Sequence, residues 1–482
     1  MYSATSLDPP LARAEAALRF LVGRIDYERM QSMPCAEEAF KLDRMRELLR
    51  RLGNPQDGLP IVHVAGTKGK GSTAAMIASA LLAAGHRTGL FTSPHLDRVE
   101  QRMAVDGRLC SGDELAELVE QVRPAVEALD RAAAERDPPE HGPTYFEIVT
   151  ALALLHFARR RVDAAVLEVG LGGRLDSTNV CTPLVSVITS ISFDHTKQLG
   201  STLAAIAGEK AGIIKPGVPV VSGVTADEPR EVIRRIAAKH GCRLIEQGVD
   251  FDFRYAPPRH LEQAASPGRM NFYCVPADKA HPLQRVGFPE RQILFGAETH
   301  FALGLLGRHQ AANAAVALAA LEELRRAGWT IPEAAVRTAL ADISWPARVE
   351  VVARRPVVVL DAAHNGASIQ ALVEVLDESF SVRRRLLIFA TTQEKDLRGM
   401  LGHLLGRFDH IVFTRYLNNP RAVRPEELQA LALELSGRHY PVCAEPAEAW
   451  NAIYHLAGPD DLICVAGSFF IAAEMRRLVS RG

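Results

Sequence analysis

Four stretches of this sequence set lysine, hydroxyl and carboxylate side chains among glycines at spacings suited to phosphate chemistry. The first is Gly66, Thr67, Lys68, Gly69, Lys70, Gly71, Ser72 and Thr73. Glycines let backbone amides close around phosphate oxygens, Lys70 can reach the terminal phosphates of a nucleotide, and the Ser72 hydroxyl can ligate magnesium. The spacing departs from the usual GxxxxGK[ST] loop, because Val64 and Ala65 fill the early positions and Gly71 follows Lys70. The plainer alternative is a glycine-rich strand-to-helix turn with no ligand. The second stretch runs from Leu167 to Asn179, where Glu168 closes an apolar run and glycines follow; on its own, Glu168 could simply pair with Arg174. The third is Phe193, Asp194, His195 and Thr196, just after the apolar run Val185 to Ile191. A lone histidine is usually structural, but His195 joins Glu168 and Ser72 as a candidate site for a hard cation such as magnesium. The fourth, Gly208 to Gly217, holds Lys210 and Lys215 in an apolar context; composition alone reads it as a solvated helix end.

These residues need elements that bring strand ends up to a helix N-terminus. Leu59 to Ala65 reads as a short buried strand, followed by the glycine turn and an apolar helix from Thr73 to Ala84 closed by Gly85. Ala164 to Val169 and Leu184 to Ile191 are further parallel-strand runs, with a helix over Tyr145 to Arg160 before the first. Ligands in such doubly wound α/β sheets bind beyond the carboxyl ends of the strands. Ahead of this unit, apolar residues at helical spacing from Leu11 to Leu52, including Phe40, Leu42, Met45, Leu48 and Leu49, predict a helical preface that stops at Gly53, Asn54 and Pro55. Between Asp250 and Phe301 the periodicity fails and Pro, Gly and aromatic residues crowd in, as at Phe288 and Pro289, which predicts a loop-rich or small β insertion. Helices return over Gln310 to Arg326 and Pro332 to Leu340. A second α/β alternation begins at Val357 to Leu360, continues through Leu386 to Ala390 and Ile411 to Thr414, and ends with Leu462 to Ala466 and a terminal helix. The expected domains are therefore 1–347 and 348–482, with Ser344 to Ala347 as the hinge.

Length agrees, since 482 residues exceed what one hydrophobic core serves. A hydrophobic fraction of 48% and a charged fraction of 23% are those of a globular protein. A formal net charge of -1 removes the general electrostatic case for a nucleic-acid or membrane-surface partner. The seven cysteines, Cys35 to Cys464, are dispersed without a CxxC pair and read as reduced thiols. No apolar run approaches ~18 residues, and Arg13, Glu15 and Arg19 interrupt any export signal, so the expected location is cytoplasmic.

In order along the chain, the motifs resemble folylpolyglutamate synthase and dihydrofolate synthase, a branch of the Mur ligase superfamily. The likeness rests on the loop from Gly66 to Thr73, Thr92 to Leu96, Leu167 to Asn179, Asp194 to Thr196, Glu209 to Ile213, Gly307 to Asn313, Asp361 to Asn365 and Gly467 to Phe470, with Phe40 to Asp43 and Leu52 to Pro55 upstream. It implies a P-loop-type ATPase domain joined to a Rossmann-like domain, with the active site in the cleft between them. By that likeness Lys70 contacts ATP phosphates, Ser72, Glu168 and His195 serve magnesium, and Lys210 is carried as a carbamate. Asn313, Arg348 and Asp361 match residues that hold the nucleotide's base, ribose and phosphate. His364 lies beside the reacting phosphate, Ser468 helps to bind incoming glutamate, and Thr92, Ser93 and Pro94 open a loop on the folate side. ATP and Mg2+, with a monovalent cation as an optional companion, are the implied cofactors; folate or dihydropteroate and L-glutamate are the substrates, and a monomer is expected.

The implied reaction phosphorylates a carboxylate with ATP, after which the glutamate amine attacks to give an amide, ADP and phosphate. Three departures from the family pattern stand out: Glu100, Gln101 and Arg102 where the family has Asn-Glu-Arg, Ala347 in place of a glycine before Arg348, and Ala362 and Gly366 around His364. Two rival readings share parts of the pattern, a Mur-type ligase acting on a peptidoglycan precursor and a nucleotide-binding switch or transport ATPase. The second would need no domain carrying Asp361, His364 and Ser468.

Overall fold

The first β-branched run folds as strand β1, Ile61–Ala65, every residue of which is buried. A strand covered on both faces cannot alternate polar and apolar residues, which is why the sequence signal is a continuous run. The computed structural model describes residues 9–28, 30, 42–275 and 298–479. Around β1 lie β2 (Thr88–Phe91), β3 (Met103–Val105), β4 (Arg108–Leu109), β5 (Ala164–Glu168), β6 (Val185–Ile188), β7 (Val220–Ser222) and β8 (Leu244–Glu246), in the order β4-β3-β2-β5-β1-β6-β7-β8. The strands from β2 to β8 in this order run parallel, and β3 and β4 close one edge as antiparallel additions. Register places Val64 beside Glu168 and Ala65 beside Ile188, so the ends of β1, β5 and β6 come out together.

Helices cover both faces. One face packs Met76, Ile77 and Leu81 against Leu318 and Leu321; the other packs Val119, Val122, Leu152 and Phe157 against Met45 and Leu48. The helical preface is two helices, Pro9–Val22 and Leu42–Arg51; residues 31–41, with Cys35 and Phe40, lie outside the described residues. The phosphate-loop helix spans Lys70–Ala83 and so begins three residues before the predicted Thr73. Periodicity detects apolar faces, and the first turn of this helix carries loop chemistry instead.

The irregular stretch after Asp250 contains a three-stranded antiparallel sheet of β9 (Phe251–Ala256), β10 (Gly268–Cys274) and β11 (Glu298–Leu303); residues 276–297, with Phe288 and Pro289, lie outside the described residues. Its inner residues Phe251, Phe253, Met270 and Phe301 join the core of the large sheet. The last sheet has the order β12-β13-β16-β14-β15, with β12 Glu350–Arg354, β13 Val357–Leu360, β14 Arg385–Phe389, β15 His410–Phe413 and β16 Leu462–Ala466. The alternation was expected to begin at Val357, but it is preceded by β12, an antiparallel edge strand. All five residues of β12 are half-buried, which explains its weak sequence signal.

A candidate nucleotide and ligase site between two sheets

The chain leaves β1 at Ala65 and enters helix Lys70–Ala83 through a turn that only glycine permits at two points. Gly69 has φ 83°, and a β-carbon there would lie 2.0 Å from Asn313 Oδ1; Gly66 has φ 151°, and its β-carbon would lie 1.9 Å from Thr189 Oγ1. The strap after β6 holds this turn. The Thr67 amide donates to the Ser190 carbonyl at 2.7 Å, and the hydroxyls of Thr189 and Ser190 donate to the Lys68 carbonyl at 2.6 and 3.0 Å. The first amides of the helix have no acceptor within it, which makes this end an anion cradle.

A cleft of about 310 Å3 opens in front of the turn. From the large sheet it is lined by Thr67, Lys68, Gly69, Lys70, Gly71, Ser72, Ser93, Pro94, Glu168, His195 and Lys210; from the segment after Ala347, by Arg348, His364 and Ser468. Most of the residues singled out in the sequence therefore share one wall system. Gly66, Thr73, Thr92, Asn313 and Asp361 stand behind that wall. Asn313 abuts Gly69 and accepts, through its carbonyl, the Thr73 hydroxyl at 3.5 Å, while the Thr92 amide donates to the Arg102 carbonyl. Asp361 is buried and spends both oxygens on backbone amides, taking Val349 N at 2.8 Å and Ala363 N at 2.7 Å. In this geometry it pins the linker and does not face the cleft. Burial raises its carboxyl, with Arg348 acting against the rise. Beside it, Ala347 and Val349 have φ 56° and 46°, so the alanine that stands where the family has glycine occupies a left-handed position.

Across the cleft runs a charged chain. Lys68 Nζ donates to Asp194 Oδ2 at 2.6 Å and contacts His364 Nε2 at 3.1 Å, and Lys395 Nζ donates to Asp194 Oδ1 at 2.8 Å. His364 Nδ1 lies 2.9 Å from the Ala362 carbonyl, which can only accept. The proton therefore sits on Nδ1, and the bare Nε2 receives the Lys68 donor. Lys68, then burial, holds His364 well below the usual imidazole range, so the ring is neutral. Burial works to raise the Asp194 carboxyl, yet Lys68 and Lys395 outweigh it and keep the group well below the ordinary carboxylate range. Burial brings Lys68 itself down to about 8, against the pull of Asp194.

Glu168 is buried; its Oε2 accepts the Ser93 amide at 3.0 Å and lies 3.2 Å from where a β-carbon on Gly71 would stand. Arg174, its alternative partner, pairs with Glu209 instead. Burial raises the Glu168 carboxyl, and Lys70 only partly offsets this. His195 has φ 50° and stands 3.8 Å from Asp194; desolvation in the cleft, opposed by Asp194, lowers it to about 4. Lys210 is buried in the last turn of helix Leu203–Ala211 and donates to the Gly66 carbonyl at 2.9 Å. Burial and the nearby Lys70 lower it to about 7. This is a buried amine and not a solvated helix end. Ser468 is buried, and its hydroxyl accepts the Ile471 amide at 3.1 Å, capping helix Phe469–Val479.

Sequence reasoning passed over Asp194 as an acting group and missed Lys395 and Arg421, which also line the cleft. Lys395 could have been found as a cation just beyond the end of β14, but nothing around Arg421 marks it out. The displaced acid at Glu100 resolves in a different way. Gln101 Oε1 accepts the amides of Leu96 and Asp97 at 3.0 and 2.8 Å, and Arg102 reaches His95 Nδ1 at 2.8 Å and both oxygens of Glu28. An amide oxygen thus does the accepting that tethers the Ser93–Pro94 loop.

The pattern of the Mur ligase middle domain matches residues 64–321, and that of the Mur ligase, glutamate ligase domain matches residues 347–469. The chain is 36% identical over 439 residues to the dihydrofolate synthase/folylpolyglutamate synthase of Bacillus subtilis, covering 90% of this chain and 94% of that one. It belongs to the folylpolyglutamate synthase and dihydrofolate synthase family. The folylpolyglutamate synthase of Lacticaseibacillus casei is 34% identical over 91% of this chain and 94% of its own. Mycobacterium tuberculosis folylpolyglutamate synthase complexed with ADP superposes with a TM-score of 0.82 at 30% identity, covering 98% of this chain and 99% of that one. This family member is accordingly a ligase of Mur architecture, and among its described residues no helix is long and apolar enough to cross a membrane.

Proposed function

We infer that this synthase uses ATP to join L-glutamate to a folate-type carboxylate, dihydropteroate or a reduced folate, by way of an acyl phosphate. The observation that carries the reading is the single cleft in which Lys70, Ser72, Glu168 and Lys210 face Arg348, His364 and Ser468. A carboxylate is a poor acyl donor. Its oxygen attacks the γ-phosphorus, the bond to the bridging oxygen breaks, and ADP leaves. The glutamate nitrogen then attacks the acyl carbon, gives up a proton, and phosphate departs. Lys70 and the helix amides take the phosphate charge, and Lys68, held between Asp194 and His364, stands ready to turn toward it. The base is assigned to the N-terminal turns of helix Arg308–Arg326, near Asn313, where a further cavity of about 500 Å3 is lined by Arg308, His309 and Ala312. Arg348 adjoins the ribose and phosphates from the linker, which Asp361 pins from behind.

Magnesium fits the donors present, because Ser72 and the buried Glu168 carboxylate are hard oxygen ligands with His195 nearby. Bound there, it would neutralise phosphate charge. The neutral amine of Lys210 can add to CO2 and lose a proton, which gives a carbamate and a second anionic oxygen donor near Gly66. Incoming glutamate is assigned to the helix start at Ser468, with Arg421 and Lys395 for its carboxylates, and the folate to the Ser93–Pro94 side beside Phe146. Two domains meeting at Ala347 and Arg348 would close over the acyl phosphate and exclude water. The free cysteines among the described residues suit a reducing cytoplasm.

The test is phosphate release from ATP with magnesium and glutamate, comparing dihydropteroate, tetrahydrofolate and a uridine-nucleotide peptide as acceptors. Release with either pterin supports the reading. Release only with the peptide, or equal release without any acceptor, refutes it.

A further inference from the structure

Away from the cleft, at the edge of the large sheet, three ligand-type side chains from three elements converge. Cys110 follows β4, Glu114 lies in the first turn of helix Gly112–Ala134, and His156 lies in the last turn of helix Tyr145–Arg159. One thiol sulfur, one carboxylate oxygen and one imidazole nitrogen lie within 4.8 Å of one another. Cys110 and His156 are buried, at 3% and 4% exposure.

A carboxylate in the adjoining turn lacks a partner. Glu100, in the turn Val99–Arg102, is 8% exposed, and its Oε2 is buried without a hydrogen-bond partner. A buried carboxylate oxygen with no partner is costly unless a positive charge faces it. The turn that carries it packs against β3 and β4, the hairpin that leads into Cys110. Arg160 is half-exposed and stays 3.6 Å from Glu114.

We propose that Cys110, Glu114 and His156 form a binding site for a zinc-class divalent cation, with the unpartnered carboxylate of Glu100 in the adjoining turn to balance its charge. Sulfur and imidazole donors select zinc and its neighbours over magnesium. The ion would tie the hairpin β3–β4 to the helices Gly112–Ala134 and Tyr145–Arg159. The Val99–Arg102 turn packed on that hairpin carries Gln101 and Arg102, which hold the Ser93–Pro94 loop.

The experiment is cobalt titration of the metal-stripped full-length protein. The expected result is one equivalent bound with a sulfur-to-cobalt charge-transfer band, displaced by zinc and absent in Cys110→Ser. Cys181→Ser is the control, because that thiol lies 3.9 Å from His63 Nδ1 and so is a second cysteine beside an imidazole; the band should survive there. Cobalt at the catalytic magnesium site would give no sulfur band. His156→Gln should keep the sulfur band but weaken binding by more than the roughly 10–100-fold that an outer-shell partner costs. Zinc should raise the unfolding temperature of the wild type and not of Cys110→Ser. No sulfur band in the wild type, or an unchanged band in Cys110→Ser, overturns the proposal. If Cys110→Ser does not fold, an unchanged cobalt affinity in His156→Gln overturns it.

Discussion

Lys210→Met replaces a buried ammonium with an uncharged chain of similar length and so isolates the consequence of burying that amine. Burial, which disfavours the charged form, lowers Lys210 to about 7 from the 10.5 of an ordinary lysine. The folded value lies below the unfolded one, so the native state sheds its proton first. Between pH 7 and 10.5 the unfolded chain holds more protons, and wild-type stability rises across that window. Below pH 7 both states carry the proton and the full burial penalty stands. Between pH 6 and pH 9 the gain from this group works out at about 2–3 kcal/mol. Methionine has no such dependence. The stability of Lys210→Met relative to wild type should therefore fall by that amount between the two pH values, read by urea unfolding in CO2-free buffer. The same amine is about 90% neutral at pH 8, whereas an ordinary lysine is well under 1%. Labelled bicarbonate should accordingly give a carbamate carbon resonance in the wild type and none in the variant, and the ligase rate of the variant should fall by roughly 100-fold or more. An unchanged stability difference at pH 6 and 9 would refute the argument that burial discharges Lys210.

Asp194→Asn leaves Lys68 and Lys395 without their shared anion. A loss of about 3–5 kcal/mol in stability is expected at neutral pH, and nucleotide should raise the variant's unfolding temperature more than the wild type's. Because the Asp194 carboxyl is held low, its contribution is present above the unfolded carboxylate value near 3.9 and is lost as pH falls through the lower folded value; an acid titration in which wild type and variant stay parallel to pH 2 would contradict this. Gly69→Ala introduces a methyl 2.0 Å from Asn313 Oδ1 at φ 83°, so nucleotide affinity measured by calorimetry should drop at least about tenfold even if the fold survives. Gln101→Glu should retain near wild-type KM for the pterin substrate, while Gln101→Leu, which strips an acceptor from several loop amides, should raise it and cost about 1–3 kcal/mol.

Much of the architecture was legible because buried parallel strands announce themselves. Ile61–Ala65, Ala164–Glu168 and Leu462–Ala466 are buried throughout and apolar but for His63 and Glu168, and the glycines after β1 mark a turn that tolerates no β-carbon. What the half-exposed strand β12 and the sheet after Asp250 lack is that continuity, since their inner residues meet partners far away in sequence.

The site divides in the same way. The amino-acid sequence by itself determined which residues could carry phosphate and cation chemistry, because glycine, lysine, serine and carboxylate declare their donors at fixed spacing. Whether Glu168 pairs with Arg174 or turns to Ser93, whether Asp361 faces the cleft or pins the linker, and whether Lys210 is solvated or discharged were decided only by the tertiary structure. Protonation and pairing depend on burial and on charges brought from distant segments, as when Lys395 reaches Asp194 across 201 positions of chain, and no local pattern encodes that desolvation.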